Sequence, residues 1–242
     1  MVRIFYNNKM LLLYIKMSNI NTYISSNTVT DISSVIFNII KNIPPITYIS
    51  YQQVNDSSYD VIEIENVLTK EECNQLIDIA FKIGLNDYSI RDVSNNLKND
   101  NLSCYYKHCH VYIDFPSEIP IKLRRLCEQY TCISINNQEK IDIINYNVGN
   151  YFDNHHDAFD KVRKLATGFI NQRKYTFMVY LNEEFEGGTT EFPLINKTII
   201  PKTGKAIVFK DTDSSNNIIS QSMHRDNIVT NGTKWICSIF SY

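Results

Sequence analysis

Four residues in the C-terminal part of the chain could do chemistry together: His155, Asp157, His224 and Lys234. Two imidazoles and one carboxylate make a facial ligand set that grips one side of a metal ion and leaves three positions open, which suits ferrous iron. A structural zinc site would fill all four of its positions with protein ligands. The His-x-Asp spacing fits a strand, where alternate side chains share a face, so His155 and Asp157 point together and His156 points away. Lys234 would supply a positive charge for a carboxylate on a co-substrate that chelates the same metal. As isolated residues they leave another reading open, in which His155 and His156 sit in a loop and His224 is unrelated. The flanking sequence has to decide.

Short strands must carry these residues. From residue 141 onward the pattern is strand and turn: strands over 141–146 and 175–182, a Gly187-Gly188 turn into Thr190-Glu191-Phe192, a strand over 205–209 after the turn PKTG, and a closing strand over 235–242. Even spacing of short strands between glycine-containing turns predicts a two-sheet jelly roll. Upstream, residues 59–67 alternate apolar and acidic positions as a strand does. A helix should begin near Lys70: Thr69 and Glu72 form a capping box, and Cys73, Leu76, Ile77 and Ala80 recur at helical spacing. A second helix is predicted over 117–129, with Ile121, Leu123, Leu126 and Cys127 as its apolar stripe. The expected fold is α+β, mainly β: a double-stranded β-helix (jelly roll) core over about residues 139–242, buttressed by N-terminal helices. Residues 1–58, rich in Asn, Ser, Thr and Ile, read as a poorly determined leader with one helix or strand around 32–43.

Composition narrows the function classes. The 242 residues suffice for one sizeable domain with a full core, and 43% hydrophobic content excludes a disordered chain. The net charge of −2 and a pI near 6.2, with no basic block, give no reason to expect nucleic acid or an anionic membrane as partner. Asn and Ile make up about a quarter of the chain, a mark of an A/T-rich genome and not of function. None of the six cysteines forms a C-x-x-C pair, so reduced thiols are expected. The run CYYKHCH at 104–110 has metal-ligating residue types, but its successive residues face opposite sides of a strand and no second cluster completes a zinc site. The apolar run over 10–15 is too short to span a bilayer and no small-residue cleavage site follows it, so no transmembrane span is expected. A soluble protein is the expectation, in a host cytoplasm or virion if the source is viral, ahead of a secretory compartment.

The flanks of the four residues resemble the prolyl 4-hydroxylase family of iron- and 2-oxoglutarate-dependent dioxygenases. The matching segments are NYNVGNYFDNHHD (145–157), RKYTFMVYLN (173–182), FEGGTTEFP (185–193), PKTGKA (201–206) and the stretch from His224 to Trp235, with NVLTKEEC (66–73) at the entry to the first helix. They occur in the family's order, and the resemblance covers about residues 60–242.

This resemblance implies that His155, Asp157 and His224 hold Fe(II), and that Lys234 pairs with the distal carboxylate of 2-oxoglutarate. Lysine there, where many relatives outside this branch carry arginine, favours the prolyl 4-hydroxylase branch. Tyr146 and Thr190 match co-substrate-binding positions; Tyr180 is either a further contact or ordinary strand packing. Arg173 matches an arginine that contacts the peptide substrate, the alternative being a solvated strand-end residue. Phe152 stands where some relatives carry a substrate-facing tyrosine, so fine peptide specificity should differ. On the closing strand Lys234 shares a face with Ile236, Ser238 and Phe240, whereas Trp235 faces the core. The implied reaction hydroxylates peptidyl proline at C4, in a proline-containing or collagen-like chain, using O2 and releasing succinate and CO2, with L-ascorbate (vitamin C) as reductant. Two alternatives remain: a 2-oxoglutarate oxygenase acting on another side chain or a small molecule, and a non-catalytic jelly-roll binding module.

Overall fold

The computed structural model describes residues 2–6, 9–13, 59–91, 102–112, 115–160 and 171–242. They belong to two units, Met1–Gln53 and Val54–Tyr242. In the first, β1 (Val2–Tyr6) pairs antiparallel with β2 (Lys9–Leu13), from Val2 opposite Leu13 to Tyr6 opposite Lys9. The element expected around 32–43 lies outside the described residues.

The second unit opens with β3 (Ile62–Ile64), shorter than the strand expected over 59–67. Asn66 takes a left-handed φ of 56°, and the Val67 amide turns to donate to the Gly204 carbonyl, so the chain leaves the sheet there. Helix α1 (Lys70–Ile83) follows with the expected capping box: the Glu72 amide donates to Thr69 Oγ1 and the Thr69 amide to Glu72 Oε2. Helix α2 (Glu118–Thr131) buries Ile119, Leu123, Cys127 and Thr131, four positions at steps of four. Ile121, expected on that stripe, is half a turn out of phase and exposed.

Both helices pack on one face of a curled antiparallel sheet. Its strands are β4 (Asn86–Arg91), β5 (Leu102–Val111), β6 (Ile141–Tyr146), β7 (Tyr151–His155), β8 (Tyr175–Tyr180), β10 (Thr190–Phe192), β11 (Lys197–Ile199), β12 (Ala206–Lys210), β13 (His224–Asp226) and β15 (Lys234–Ser241), with β3 at one edge. A two-stranded ribbon of β9 (Phe185–Gly187) and β14 (Val229–Gly232) flanks it. The order runs β11-β10-β13-β7-β5-β6-β15-β8-β12-β3, with β4 on β5. Strand β5 makes the curl: residues 107–111 pair with β6, whereas Cys104 and Tyr105 pair with β7. The two layers thus fold over one another as the expected jelly roll.

Strand parity splits the core in two. Toward the helices, Trp235, Cys237 and Ile239 of β15 join Leu76, Leu123, Ile143, Phe177 and Val179. Each such fully buried aliphatic side chain contributes roughly 1.5–3 kcal/mol over exposure. Trp235 meets Phe81 edge-on at 5.3 Å, in keeping with a core role. Between the layers lie Tyr146, Met178, Tyr180, Phe192, Phe209 and Ile236, and here the nominated chemistry sits. Among the described residues no helix is long and apolar enough to cross a membrane. Cys73, Cys109, Cys127, Cys132 and Cys237 are free thiols.

Candidate active site

Strand register brings the two histidines together. Strands β7 and β13 pair antiparallel with His155 directly opposite His224, so residues far apart in the chain become cross-strand neighbours. Asp157 lies just past the end of β7, in a bend and not on the strand as the spacing suggested. It still converges: His155 Nε2 is 3.6 Å from Asp157 Oδ1, and His224 Nε2 is 3.7 Å from Oδ2. All three ligand atoms lie within 4.8 Å of one another.

The backbone settles which nitrogen is available. His155 Nδ1 is 2.7 Å from the Asp153 carbonyl oxygen and His224 Nδ1 is 2.9 Å from that of Ser222. A carbonyl can only accept, so each Nδ1 carries the proton and each Nε2 turns its lone pair toward Asp157. Burial, with His155 beside it, pushes His224 down to about 4, which leaves it neutral near pH 7. Burial opposes ionisation of Asp157, but its carboxyl is held below the usual range, with the Arg173 charge among the causes. Aromatic rings fix the imidazoles. Phe152 stacks on His155 at 3.5 Å, and Phe192 and Phe209 contact His224 at 5.3 and 5.0 Å. Two imidazole Nε2 atoms and an ionised carboxylate on one side of a cavity fit ferrous iron.

Behind Asp157 stands a residue that the sequence did not single out. Thr176 Oγ1 on β8 is 2.7 Å from Asp157 Oδ2 and 2.9 Å from Asp211 Oδ2. Burial, with the Asp157 charge nearby, raises Asp211 well above the ordinary carboxylate range. Asp211 is therefore protonated and donates to Thr176, whose own single proton goes to Asp157. Arg173 closes another side. Its Nε and Nη2 donate to the two Glu139 oxygens at 2.7 Å, and Nη1 donates to the Asp157 carbonyl at 3.2 Å. The guanidinium also lies over the Phe240 ring at 3.5 Å. It is thus a held group, not a solvated strand end. His156 turns away to Ser222 Oγ, 3.1 Å from its Nδ1, as its parity predicts.

The four nominated co-substrate residues also come together, around a fifth. Lys234 Nζ donates to Asp226 Oδ1 at 2.6 Å, Thr190 Oγ1 donates to the same oxygen at 2.7 Å, and Tyr146 Oη donates to Oδ2 at 3.0 Å. Tyr180 Oη donates to Thr190 Oγ1 at 2.9 Å. Lys234, Thr190 and Tyr180 are wholly buried. Gly188 makes room for the lysine stem: at φ +59°, an added Cβ would lie 3.1 Å from Lys234 Cδ. Lysine and three hydroxyls fit a carboxylate, and here the carboxylate they hold is the chain's own Asp226. A parity argument could have found it, since Asp226 stands two residues from His224 on β13 and shares its face.

A cavity of about 270 Å³ opens over this floor. Its walls include His155, Asp157, His224, Asp226, Arg173 and Phe152. Ile236, Ser238 and Phe240 line it too, as their shared face with Lys234 predicted. Along its outer wall run Tyr88, Tyr106, His108, His110 and Asp142. The histidines of the 104–110 run thus share one face, with Cys109 buried on the other, and β6 supplies the acidic neighbour that the local sequence could not.

Residues 141–242 match the 2OG-Fe(II) oxygenase superfamily. The curled sheet and the His-Asp-His cluster agree with that match, which makes residues 141–242 a 2OG-Fe(II) oxygenase domain, the iron- and 2-oxoglutarate-dependent class. Over a longer stretch, the chain is similar to proteins named as prolyl 4-hydroxylases. It is 28% identical over 195 residues to a candidate prolyl 4-hydroxylase of Acanthamoeba polyphaga mimivirus, covering 79% of this chain and 77% of that one. Prolyl 4-hydroxylase 13 of Arabidopsis thaliana is 26% identical over 199 residues, covering 74% of this chain and 69% of its own length. Among solved structures, the viral collagen prolyl hydroxylase of Paramecium bursaria Chlorella virus-1, in its 2OG complex, superposes with a TM-score of 0.61. That match has 25% identity and covers 77% of this chain and 97% of the other.

Proposed function

We propose that residues 59–242 form a peptidyl-proline 4-hydroxylase domain. Its site would bind Fe(II) through His155, Asp157 and His224. Lys234, Tyr146, Thr190 and Tyr180 would form the cradle for the distal carboxylate of 2-oxoglutarate. The observation that carries the reading is the convergence of two imidazole Nε2 atoms and one carboxylate on the floor of a cavity that also reaches Tyr146 and Asp226, behind which the lysine and the other hydroxyls are buried. Bound iron would supply the oxidation, with one atom of O2 ending in succinate as 2-oxoglutarate loses CO2 and the other inserted into a C4–H bond of proline to give the hydroxyl.

The chain's own residues orient and shield. Asp153 and Ser222 carbonyls keep the imidazole tautomers, and Thr176 steadies the carboxylate. Arg173, fixed by Glu139, presents a rigid cationic edge beside the metal ligands, where a substrate carbonyl would dock. Phe152 covers His155 and keeps water from that side. The stacked pair Tyr88 and Tyr106, 4.9 Å apart on the outer wall, offers a flat surface for proline rings in an extended segment. The viral and plant relatives named for prolyl hydroxylation support proline as the target, and a collagen-like sequence as the first to test. Ascorbate would return iron to the ferrous state after turnover without substrate.

The test is succinate release with Fe(II), 2-oxoglutarate, ascorbate and a (Pro-Pro-Gly)-type peptide against a proline-free control. Peptide-dependent release, a gain of one oxygen on proline and loss of both in His224→Ala are expected. Release that ignores the peptide would point to another substrate. No release from iron-loaded protein would overturn the enzyme reading.

A further inference from the structure

The carboxylate cradle contains a carboxylate that belongs to the chain. Asp226 receives Lys234, Thr190 and Tyr146, and it lines the cavity, whereas Lys234 has no exposed surface. A dicarboxylic co-substrate therefore approaches Asp226 before it meets the cation. We propose that Asp226 is a specificity-determining residue: as an internal counter-ion to Lys234 it weakens binding of 2-oxoglutarate and narrows the preference for a distal carboxylate over a neutral tail. The inference rests on Lys234 being the co-substrate anchor. Two anions sharing one buried cation repel one another, and the incoming one must displace the bonds that Asp226 already makes. A 2-oxo acid with a neutral tail makes no such demand.

The experiment is anaerobic calorimetric titration of Mn(II)-loaded protein with 2-oxoglutarate and with 2-oxopentanoate, which has the same chain length and no distal carboxylate. Asp226→Asn keeps the shape and removes the charge. It should bind 2-oxoglutarate at least about tenfold tighter than wild type, with 2-oxopentanoate nearly unchanged, and show a larger rise in melting temperature with 2-oxoglutarate. Lys234→Met should lose the preference for 2-oxoglutarate. If Asp226→Asn binds 2-oxoglutarate no tighter while Lys234→Met still loses it, the counter-ion role is wrong and the anchor stands. If Lys234→Met loses nothing, or neither wild type nor Asp226→Asn binds 2-oxoglutarate, the anchor reading falls and the proposal with it.

An independent observation carries a second site. His108 and His110 stand two apart on β5, and the register places Asp142 of β6 opposite His110. His108 Nδ1 is 3.1 Å and His110 Nε2 is 3.6 Å from Asp142 Oδ1, and all three ligand atoms lie within 4.8 Å. The His155–Asp157–His224 cluster meets the same limit. Tyr88 and Tyr106 meet His108 edge-on at 5.2 and 6.0 Å and limit its rotation. We infer that His108, His110 and Asp142 form a second divalent-cation site on the outer wall of the cavity, of a donor set suited to Zn(II) or Co(II).

Equilibrium dialysis against Zn(II), and Co(II) absorption, test it. Wild type should bind two equivalents. The His155→Ala/His224→Ala protein should keep one, with Co(II) bands of a nitrogen–oxygen site. His108→Gln/His110→Gln should also keep one, and Asp142→Asn should weaken the second. One equivalent in wild type, or none in the His155→Ala/His224→Ala protein once its melting curve shows it folded, would overturn the second site.

Discussion

Thr176→Val removes one hydroxyl and keeps the shape of a β-branched strand residue. Its side chain is fully buried between Asp157 and Asp211, so no water replaces the lost bonds. A hydrogen bond to an ionised group is worth about 1.5–3 kcal/mol when its partner is left buried. At about 1.4 kcal/mol per factor of ten, Asp157 should lose roughly ten- to hundredfold in metal affinity, the range usual for residues that orient a ligand from behind. Competition between the protein and a chromophoric chelator for Fe(II), under anaerobic conditions, reads that loss directly. Thr176→Ser keeps the hydroxyl and should recover most of it. The peptide target plays no part in the argument, so metal affinity should fall even where substrate is absent. If Thr176→Val binds iron within about threefold of wild type while remaining folded, the carboxylate is positioned by something else and the Asp211–Thr176–Asp157 relay is wrong.

Other consequences can be checked in denaturation and binding experiments. His224 has an ordinary value of 6.5 and is pushed to about 4 in the folded apoprotein, so the unfolded chain takes the proton first. Its share of stability is full above pH 6.5 and is lost as pH falls toward 4, about 3 kcal/mol in all. His224→Phe should flatten that part of a urea-midpoint profile. Asp211 runs the other way: its folded value is raised, so its contribution is present below the ordinary 3.8 and lost as pH rises through the folded value. Asp211→Asn, still able to donate to Thr176, should therefore gain on wild type at pH 8 and not at pH 4, and a variant less stable at pH 8 would refute the protonated assignment. Gly188→Ala places a Cβ 2.9 Å from the Phe185 ring and 3.1 Å from Lys234 Cδ at a left-handed φ. It should lower stability by about 1–2 kcal/mol from backbone strain alone and weaken 2-oxoglutarate binding by moving the lysine. Unchanged calorimetry would show that the lysine stem has slack.

What could be read from the sequence was local. The capping box at Thr69 and Glu72, the 141–146 strand and the alternation of Lys234, Ile236, Ser238 and Phe240 each depend on neighbours a few residues apart, and each is found as expected. What could not be read depends on register. Thr176 reaches Asp157 because β8 lies beside β12 and β15, and Glu139 reaches Arg173 across the curl of the sheet. Asp142 completes a histidine pair only because β6 aligns it with His110. Ile121 alone falls off the expected stripe: Leu123 and Cys127 are fully buried and Leu126 packs beside them, whereas Ile121, two residues from Leu123, lies on the exposed side of α2. Asp226 is the instructive case, since its parity with His224 was available and its charge was visible. A pattern that nominates ligands looks for groups that would bind the co-substrate, and a carboxylate beside a lysine proposed for that task runs against the search. Physical chemistry asks the other question, namely what neutralises a buried lysine before its ligand arrives. A fully buried cation needs a counter-ion in the free protein, and Asp226 is the group that supplies it.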